Sequence, residues 1–280
     1  MNSVLIIGSG PAGMAAAIRA RQQNLDVTVI EIEDENYEKT CGDGLTERAI
    51  HALRCIEIFP EDLTKAGANE IRTSLRVYPN RRHIMSHEER SYYTLRRISL
   101  IRLMRKRAIS MGVKIHYRTP YRPDMKADIL VDASGCRAKK AYNGMNYPMG
   151  ISAVIHSVAH LRNDTLYFAY PDEEGCRYGW AFPLSGDMWN VGVWEPENPK
   201  RLQTSFATFK TQYLDHYFRD AVIVKPLRGA PLGTIRPVTV IGTHVLSCGD
   251  AAGLCDPYSG EGVSYALQSG IDVAEAIMTK

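Results

Sequence analysis

The stretch Val4-Leu5-Ile6-Ile7-Gly8-Ser9-Gly10-Pro11-Ala12-Gly13-Met14-Ala15-Ala16-Ala17-Ile18-Arg19-Ala20 decides how the chain is read. Val4 to Ile7 is an unbroken aliphatic run, which predicts a strand buried on both faces. Gly8, Gly10 and Gly13 then supply a tight turn, a close backbone approach for a phosphate, and close packing of helix on strand. The alanine-rich run behind them is a strong helix former, and its first turn offers unpaired N–H groups to an anion. A second aliphatic run, Val27 to Ile30, ends in Glu31, 31 − 8 = 23 residues after the first glycine. That is close to the offset of about 20 expected for a ribose-binding acid. An acid there favours an unphosphorylated ribose, as in FAD or NAD, over NADP. Gly8, Ser9, Gly10, Ala12, Gly13 and Glu31 are thus candidate dinucleotide ligands; the alternative is a purely structural βαβ turn.

The 280 residues suffice for one large domain or two intimate ones. A composition 45% apolar and 23% charged suits a soluble globular enzyme. No apolar run reaches the roughly 20 residues of a membrane span, and the opening residues lack the charge and cleavage pattern of a signal peptide. A cytoplasmic protein with at most peripheral membrane contact is expected. The six cysteines (Cys41, Cys55, Cys136, Cys176, Cys248, Cys255) form no CxxC and no zinc-like Cys/His spacing, so free thiols and no metal are expected. A net charge of +3 is too small to imply nucleic-acid binding. Arg72, Arg76, Arg81, Arg82, Arg90, Arg96, Arg97, Arg102, Arg105, Lys106 and Arg107 nevertheless crowd one region. They read as a solvated basic face, or as a landing site for an anionic partner such as a phosphorylated substrate, a carrier protein, a lipid headgroup or NADPH.

Further along, Thr40-Cys41-Gly42-Asp43-Gly44-Leu45 sets two glycines around an aspartate, a pattern for backbone that passes close to something flat or bulky. Thr46 can cap the helix that follows, from Glu47 to about Ile56. Cys41 is either a small buried residue or a redox or proton-donating one. Segments 73–79, 83–86 and 91–95 read as short strands, and Arg97 leads a helix that closes at Gly112. Ala127 to Gly135 is a buried strand ending in a small-residue turn suited to a cofactor. From about Gly150, four strands (151–158, 165–169, 178–183, 188–194), one helix over 199–218 and a last strand over 222–227 read as an antiparallel sheet inserted into the nucleotide-binding unit. Val245 to Cys248 returns to the core, followed by Gly249-Asp250-Ala251-Ala252-Gly253 and Pro257-Tyr258-Ser259-Gly260-Glu261-Gly262-Val263, then a helix over 264–278. Asp250 is a natural acceptor for sugar-chain hydroxyls, with a helix N-cap as the alternative. Gly260 and Gly262 place the positive end of the last helix where the pyrimidine side of a flavin would suit it.

These pieces together resemble the FAD-dependent geranylgeranyl reductase family within the p-hydroxybenzoate-hydroxylase-like flavoproteins. Gly8-x-Gly10-x-x-Gly13 with Glu31, the Arg97 helix, and Gly249-Asp250 with Pro257 and Gly260-Glu261-Gly262 match the general flavoprotein signature. Cys41-Gly42-Asp43-Gly44-Leu45 and Tyr178-Gly179-Trp180-Ala181-Phe182-Pro183, followed by Asn190-Val191-Gly192, match the reductase branch. The resemblance implies an α/β fold: a Rossmann-like FAD-binding domain (residues 1–72, 92–145 and 235–280) carrying an antiparallel substrate-binding sheet (73–91 and 146–234). It implies FAD in extended form, its diphosphate on the first helix, its ribose on Glu31, its ribityl chain near Asp250 and Arg97, and its ring near Pro257, Gly260, Gly262 and Val263. Cys41, Gly42 and Gly135 line the same cofactor. Tyr178, Trp180 and Cys41 face the ring as catalytic candidates, with simple sheet packing as the alternative for the aromatic pair.

The implied reaction is reduction of a carbon–carbon double bond in an isoprenoid-like or other unsaturated small molecule. Hydride comes from reduced flavin, and the proton from water, Tyr178 or Cys41. No second GxGxxG follows the first, so NADPH docks transiently or a separate donor supplies electrons. Two departures point to a smaller substrate or one delivered by a carrier or partner protein. Family members usually continue beyond the closing helix, and Trp194 stands where a glycine is expected, which would shorten the cavity. A flavin monooxygenase or halogenase is the first alternative, although halogenases carry WxWxIP where this chain has Tyr178-x-Trp180-x-Phe182-Pro183. A non-catalytic FAD-binding partner protein is the second.

Overall fold

The computed structural model describes residues 3–78, 83–137, 149–158, 161–171, 177–195, 198–218, 220–233 and 245–279. The opening motif folds as its residues predict. Strand β1 (Ser3–Ile7) runs into helix α1 (Pro11–Gln22), and strand β2 (Asp26–Ile30) returns parallel to β1, pairing Ile7 with Ile30. Nearly every residue of α1 from Ala12 to Ala20 is buried. Alanine makes that possible, because a helix hemmed in on several sides needs short side chains for its neighbours to approach. Two helical neighbours, over 97–110 and 263–278, come from far along the chain.

In chain order, β3 (Gly44–Leu45), α2 (Glu47–Cys55) and α3 (Pro60–Lys65) lead to β4 (Asn69–Val77) and β5 (His83–Thr94). Thr46 caps α2 as expected, its hydroxyl accepting from Ala49 N. The three short strands expected between 73 and 95 are instead two long antiparallel ones joined in a hairpin. Their register shifts between the pairs Ile71–Tyr92 and Thr73–His87, at the polar stretch that interrupts the sequence pattern. Helix α4 (Arg97–Ser110), β6 (Lys114–His116) and β7 (Ile129–Asp132) follow. Then come β8 (Met149–His156), β9 (Thr165–Ala169), β10 (Tyr178–Pro183) and β11 (Met188–Glu195). The predicted single helix over 199–218 is broken up. It holds a 3-10 turn, α5 (Leu202–Phe209), a π-turn over Lys210–Leu214, and α6 (Asp215–Tyr217). The five-residue step from Phe209 to Leu214, both buried, accounts for the π-turn, which keeps the two on one face. Strand β12 (Val222–Pro231), β13 (Val245–Ser247) and α7 (Val263–Met278) end the described chain.

These strands form two sheets. The first is five-stranded and wholly parallel, in the order β13-β7-β1-β2-β6. The second has eight strands in the order β12-β8-β11-β10-β9-β4-β5-β3, antiparallel except where β4 and β9 run together. Helix α7 lies along α1 so closely that a side chain at Gly270 would run into the Ala12 carbonyl. The core under the parallel sheet includes Ile6, Met14, Ile18, Leu53, Leu100 and Met104, all fully buried. Each such side chain contributes about 1.5–3 kcal/mol relative to exposure. A second core, with Trp189, Val191, Val193 and Phe209, glues the helices after β11 to one face of the large sheet. The expected domain junctions near 145 and 235 lie outside the described residues, and so does Cys176.

Candidate functional site

At the end of β1 the three motif glycines have three distinct surroundings. Gly8 adopts φ +103°, and a Cβ there would collide with the Ala133 carbonyl; one at Gly13 would overlap the Gly8 carbonyl oxygen. A Cβ at Gly10 meets nothing within 4 Å. The outer glycines therefore serve turn and packing, and the middle one borders open space in front of the α1 N-terminus. Glu31 folds back onto the same loop, its Oε2 accepting from Ser9 N and Ser9 Oγ at 2.8 Å each. Buried Arg105 completes this cluster by donating to Ser9 Oγ at 2.6 Å. Arg105 is a contact that the sequence left hidden within a run of basic residues.

The second cluster comes from the other end of the chain and sits against the first. Gly249 has φ +61°, and a Cβ there would stand 2.9 Å from the Ala12 Cβ. Asp250 follows in a 3-10 turn, not as a helix cap, and its Oδ2 accepts from Lys39 Nζ at 2.6 Å and from Cys136 Sγ at 3.0 Å. Gly135, at φ +72° with open space before it, directly precedes Cys136. Burial opposes ionisation of Asp250, but the Lys39 ammonium, the Cys136 contact and the Arg97 guanidinium together hold its carboxyl below the usual value. Burial dominates at Cys136 and pushes that thiol up to about 12. Gly262, the N-cap of α7, faces the same carboxylate: a Cβ there would lie 3.5 Å from Asp250 Oδ1, and Val263 begins the helix. An acid held below its unfolded pKa adds stability above that value and loses it as pH falls through the folded one. Lys39→Met should therefore move acid unfolding to higher pH, which circular dichroism across a pH series would read. An unchanged acid midpoint would remove Lys39 from the support of Asp250.

The third cluster joins the Cys41–Leu45 turn to the aromatic strand. Tyr178, Trp180 and Phe182 alternate onto one face of β10, while Gly179 faces the other way and accommodates the Phe209 ring. A Cβ at Gly42 would touch both Trp180 and Phe182 at 3.5 Å. Gly192 stands opposite Trp180 on β11, where any side chain would strike the indole. Arg97 is buried, and its Nη2 donates to Cys41 Sγ at 2.7 Å. Trp194 is buried with its ring against Gly260, where a Cβ would come within 3.1 Å. The Tyr178 hydroxyl donates to the Ser259 carbonyl at 2.5 Å, bracing the loop that holds Pro257, and burial drives its pKa well up. The loop itself is pinned by Asp256 Oδ1, which accepts from Tyr258 N and Ser259 N.

Several of the crowded basic residues are buried or paired. Arg97 and Arg105 point inward, Arg96 pairs with Glu38 at 3.0 Å, Arg107 pairs with Glu57, and Arg102 bonds Asn36. Arg81 and Arg82 lie outside the described residues. Among the described residues, no group of His, Cys, Asp or Glu could hold a metal ion, and no helix is long and apolar enough to cross a membrane. The described cysteines are free.

Arg97 Nη1 and Trp194 Nε1 are buried donors with no partner among the described residues. An unpaired buried donor costs about 1–3 kcal/mol, so such groups call for an acceptor from elsewhere. Oxygen-rich FAD fits that need, and the open approach to Gly10 beside the α1 N-terminus fits a diphosphate.

Comparison with known proteins agrees with this geometry. The family model described as pyridine nucleotide-disulphide oxidoreductase matches residues 2–166. A menaquinone reductase of Mycobacterium tuberculosis is 28% identical over 98% of this chain and 76% of its own length. A digeranylgeranylglycerophospholipid reductase of Methanothrix thermoacetophila is 23% identical over 98% and 77%. The solved structure of a triple mutant of the flavin-dependent brominase Bmp2 superposes with a TM-score of 0.84 at 22% identity, covering 99% of this chain and 79% of that one. The chain belongs to the FAD-binding pyridine nucleotide-disulphide oxidoreductase family.

Proposed function

We propose that the chain reduces a carbon–carbon double bond of an unsaturated, isoprenoid-like molecule. The observation that carries this reading is the seating of the Cys41–Leu45 turn on the Trp180 and Phe182 rings. That arrangement gives a thiol and a flat apolar wall side by side. In this reading residues 1–72, 92–145 and 235–280 form the FAD-binding domain, and 73–91 with 146–234 the substrate sheet. The diphosphate lies on the Gly8–Gly13 loop, the ribose on Glu31, and the ribityl chain by Asp250, Gly135 and Arg97. The ring lies by Gly42, Pro257, Gly260, Gly262 and Val263.

Bound and reduced FAD supplies the hydride. The protein's share is to hold the alkene against an aromatic face, exclude oxygen, and deliver a proton. Tyr178 is a poor proton source because its hydroxyl is committed to the Ser259 carbonyl, so Cys41 Sγ or a water takes that role. Trp194, folded against Gly260, limits the depth of the pocket and favours a short substrate or one presented by a carrier protein. Electrons come from NADPH docking transiently or from a separate donor protein.

Anaerobic photoreduction of the holoprotein, then reoxidation by menaquinone and by geranylgeranyl compounds, tests the reading. Reoxidation with loss of one double bond by mass spectrometry is expected. The likeness to a flavin-dependent brominase supports a second reading, halogenation or oxygenation, in which product forms only as oxygen is consumed. Glu31→Ala should weaken FAD retention at least tenfold in equilibrium dialysis, since it removes both the ribose acceptor and the anchor of Ser9; unchanged affinity would clear Glu31 of that role.

A further inference from the structure

Asn190 lies on β11 opposite Phe182, with its side chain fully buried. Its amide is completely used. Nδ2 donates to the Cys41 carbonyl at 2.7 Å and to Asp43 Oδ2 at 2.7 Å, and Oδ1 accepts from Trp180 Nε1 at 2.9 Å. Asp43 Oδ1 in turn accepts from Arg97 N at 2.9 Å, and Arg97 Nη2 reaches back to Cys41 Sγ. Asp43 N also donates to that sulfur at 3.3 Å. The contacts close a ring: Cys41 carbonyl, Asn190, Asp43, Arg97, Cys41 sulfur. Asp43 makes the ring possible by holding φ +65°, a left-handed conformation that aspartate tolerates better than most residues.

We propose that Asn190 and Asp43 are positioning residues that lock the Cys41 sulfur and the Trp180 indole in one fixed arrangement. Neither residue need touch substrate. Asn190 bonds both the cysteine's own backbone and the indole, so loss of its amide frees the indole and leaves the Cys41 carbonyl only the longer contact from Ser152 Oγ at 3.4 Å. Asp43 supplies the negative end that holds Asn190 and the start of α4. Leucine matches asparagine in size but makes none of the three bonds, and asparagine at 43 keeps the left-handed turn while turning one acceptor into a donor.

The ring also carries a pH signature. Burial raises the Asp43 carboxyl to about 6, against Arg97 and Asn190, which favour the carboxylate, while Glu38 adds to the rise. Cys41 in the same turn and Asp250 beyond Arg97 are the other ionisable groups at hand. Both Asp43 oxygens accept hydrogen bonds, so protonation breaks one contact: the ring is intact above that pH and loosened below it.

The inference builds on Cys41 and Trp180 as site residues, but its test needs no substrate. The FAD-loaded protein is treated with iodoacetamide from pH 5 to 8, and alkylation of Cys41 and of exposed Cys55 is followed peptide by peptide. In the wild type, Cys41 should be alkylated slowly, with an inflection near pH 6 superimposed on its own profile. N190L should speed Cys41 alkylation roughly tenfold while Cys55 keeps its rate, and D43N should abolish the inflection. A folded N190L with the wild-type Cys41 rate, or a D43N profile that keeps the inflection, would overturn the proposal. Should N190L not fold, the D43N profile decides alone. A failed reductase assay beside the expected N190L and D43N alkylation results would count against the proposed reaction and leave the ring standing.

Discussion

Trp180→Ala should keep its yellow cofactor and lose nearly all turnover, at a heavy cost in stability. The indole is buried, packed between Gly42 and Gly192, and bonded to Asn190. Truncating a core tryptophan costs about 3–5 kcal/mol, and at this chain length that lowers the melting midpoint by roughly 5–9 °C. Typical domains have about 5–15 kcal/mol in hand, so the variant should still fold. Under the proposed function the variant also loses the wall meant to face the substrate, so turnover should drop at least a hundredfold. Trp180→Phe separates the two roles: it keeps an aromatic face but strands the Asn190 carbonyl, for about 1–3 kcal/mol. Visible absorbance, thermal melts and anaerobic reoxidation rates check both. A folded Trp180→Ala that has lost FAD would reassign the residue to cofactor support.

Gly13→Ala and Gly10→Ala should fail in opposite ways, although the two glycines stand three residues apart. At Gly13 a methyl group would occupy the place of the Gly8 carbonyl oxygen, so strand and helix must separate. Overpacking against backbone costs about 1–3 kcal/mol and sometimes more. Here it strikes the turn where β1, α1 and the strand leading to Ala133 meet, so little soluble protein is expected. At Gly10 there is room, and the backbone is extended, with φ −73°. Gly10→Ala should therefore melt like the wild type yet bind FAD at least tenfold more weakly, its methyl standing where a diphosphate must approach. Equal FAD affinity in Gly10→Ala would mean the phosphates lie elsewhere.

How much of this was legible beforehand differs from element to element, for physical reasons. The Gly8–Gly13 turn and Glu31 were readable because their chemistry is local: spacing along the chain fixes spacing in space. The aromatic face of β10 was readable from the period-two alternation of Tyr178, Trp180 and Phe182. Asn190 and Gly192 were quoted only as companions of a motif. Their reasons, a doubly donating amide and a socket for an indole, depend on which residue of β10 each one faces, and register across a hairpin is set by three-dimensional pairing. Lys39 and Arg105 stayed hidden for a similar reason. Each is a long side chain in an apparently polar stretch that turns inward to meet Asp250 or Ser9. The pairs of Arg96 with Glu38 and Arg107 with Glu57 stayed hidden because a run of like charges in sequence says nothing of the acids that folding brings beside it.

The parallel sheet takes its outermost strand, and α1 its closest helical neighbour, from beyond residue 244. During synthesis, then, the Gly8–Gly13 turn waits through the whole stretch from Gly13 to Val245 before its partner arrives. Such distant pairings slow folding and leave apolar surface uncovered meanwhile. An N-terminal fragment truncated before β13 should accordingly be insoluble, and a nascent chain still held at the ribosome should capture flavin only after α7 has cleared the exit tunnel.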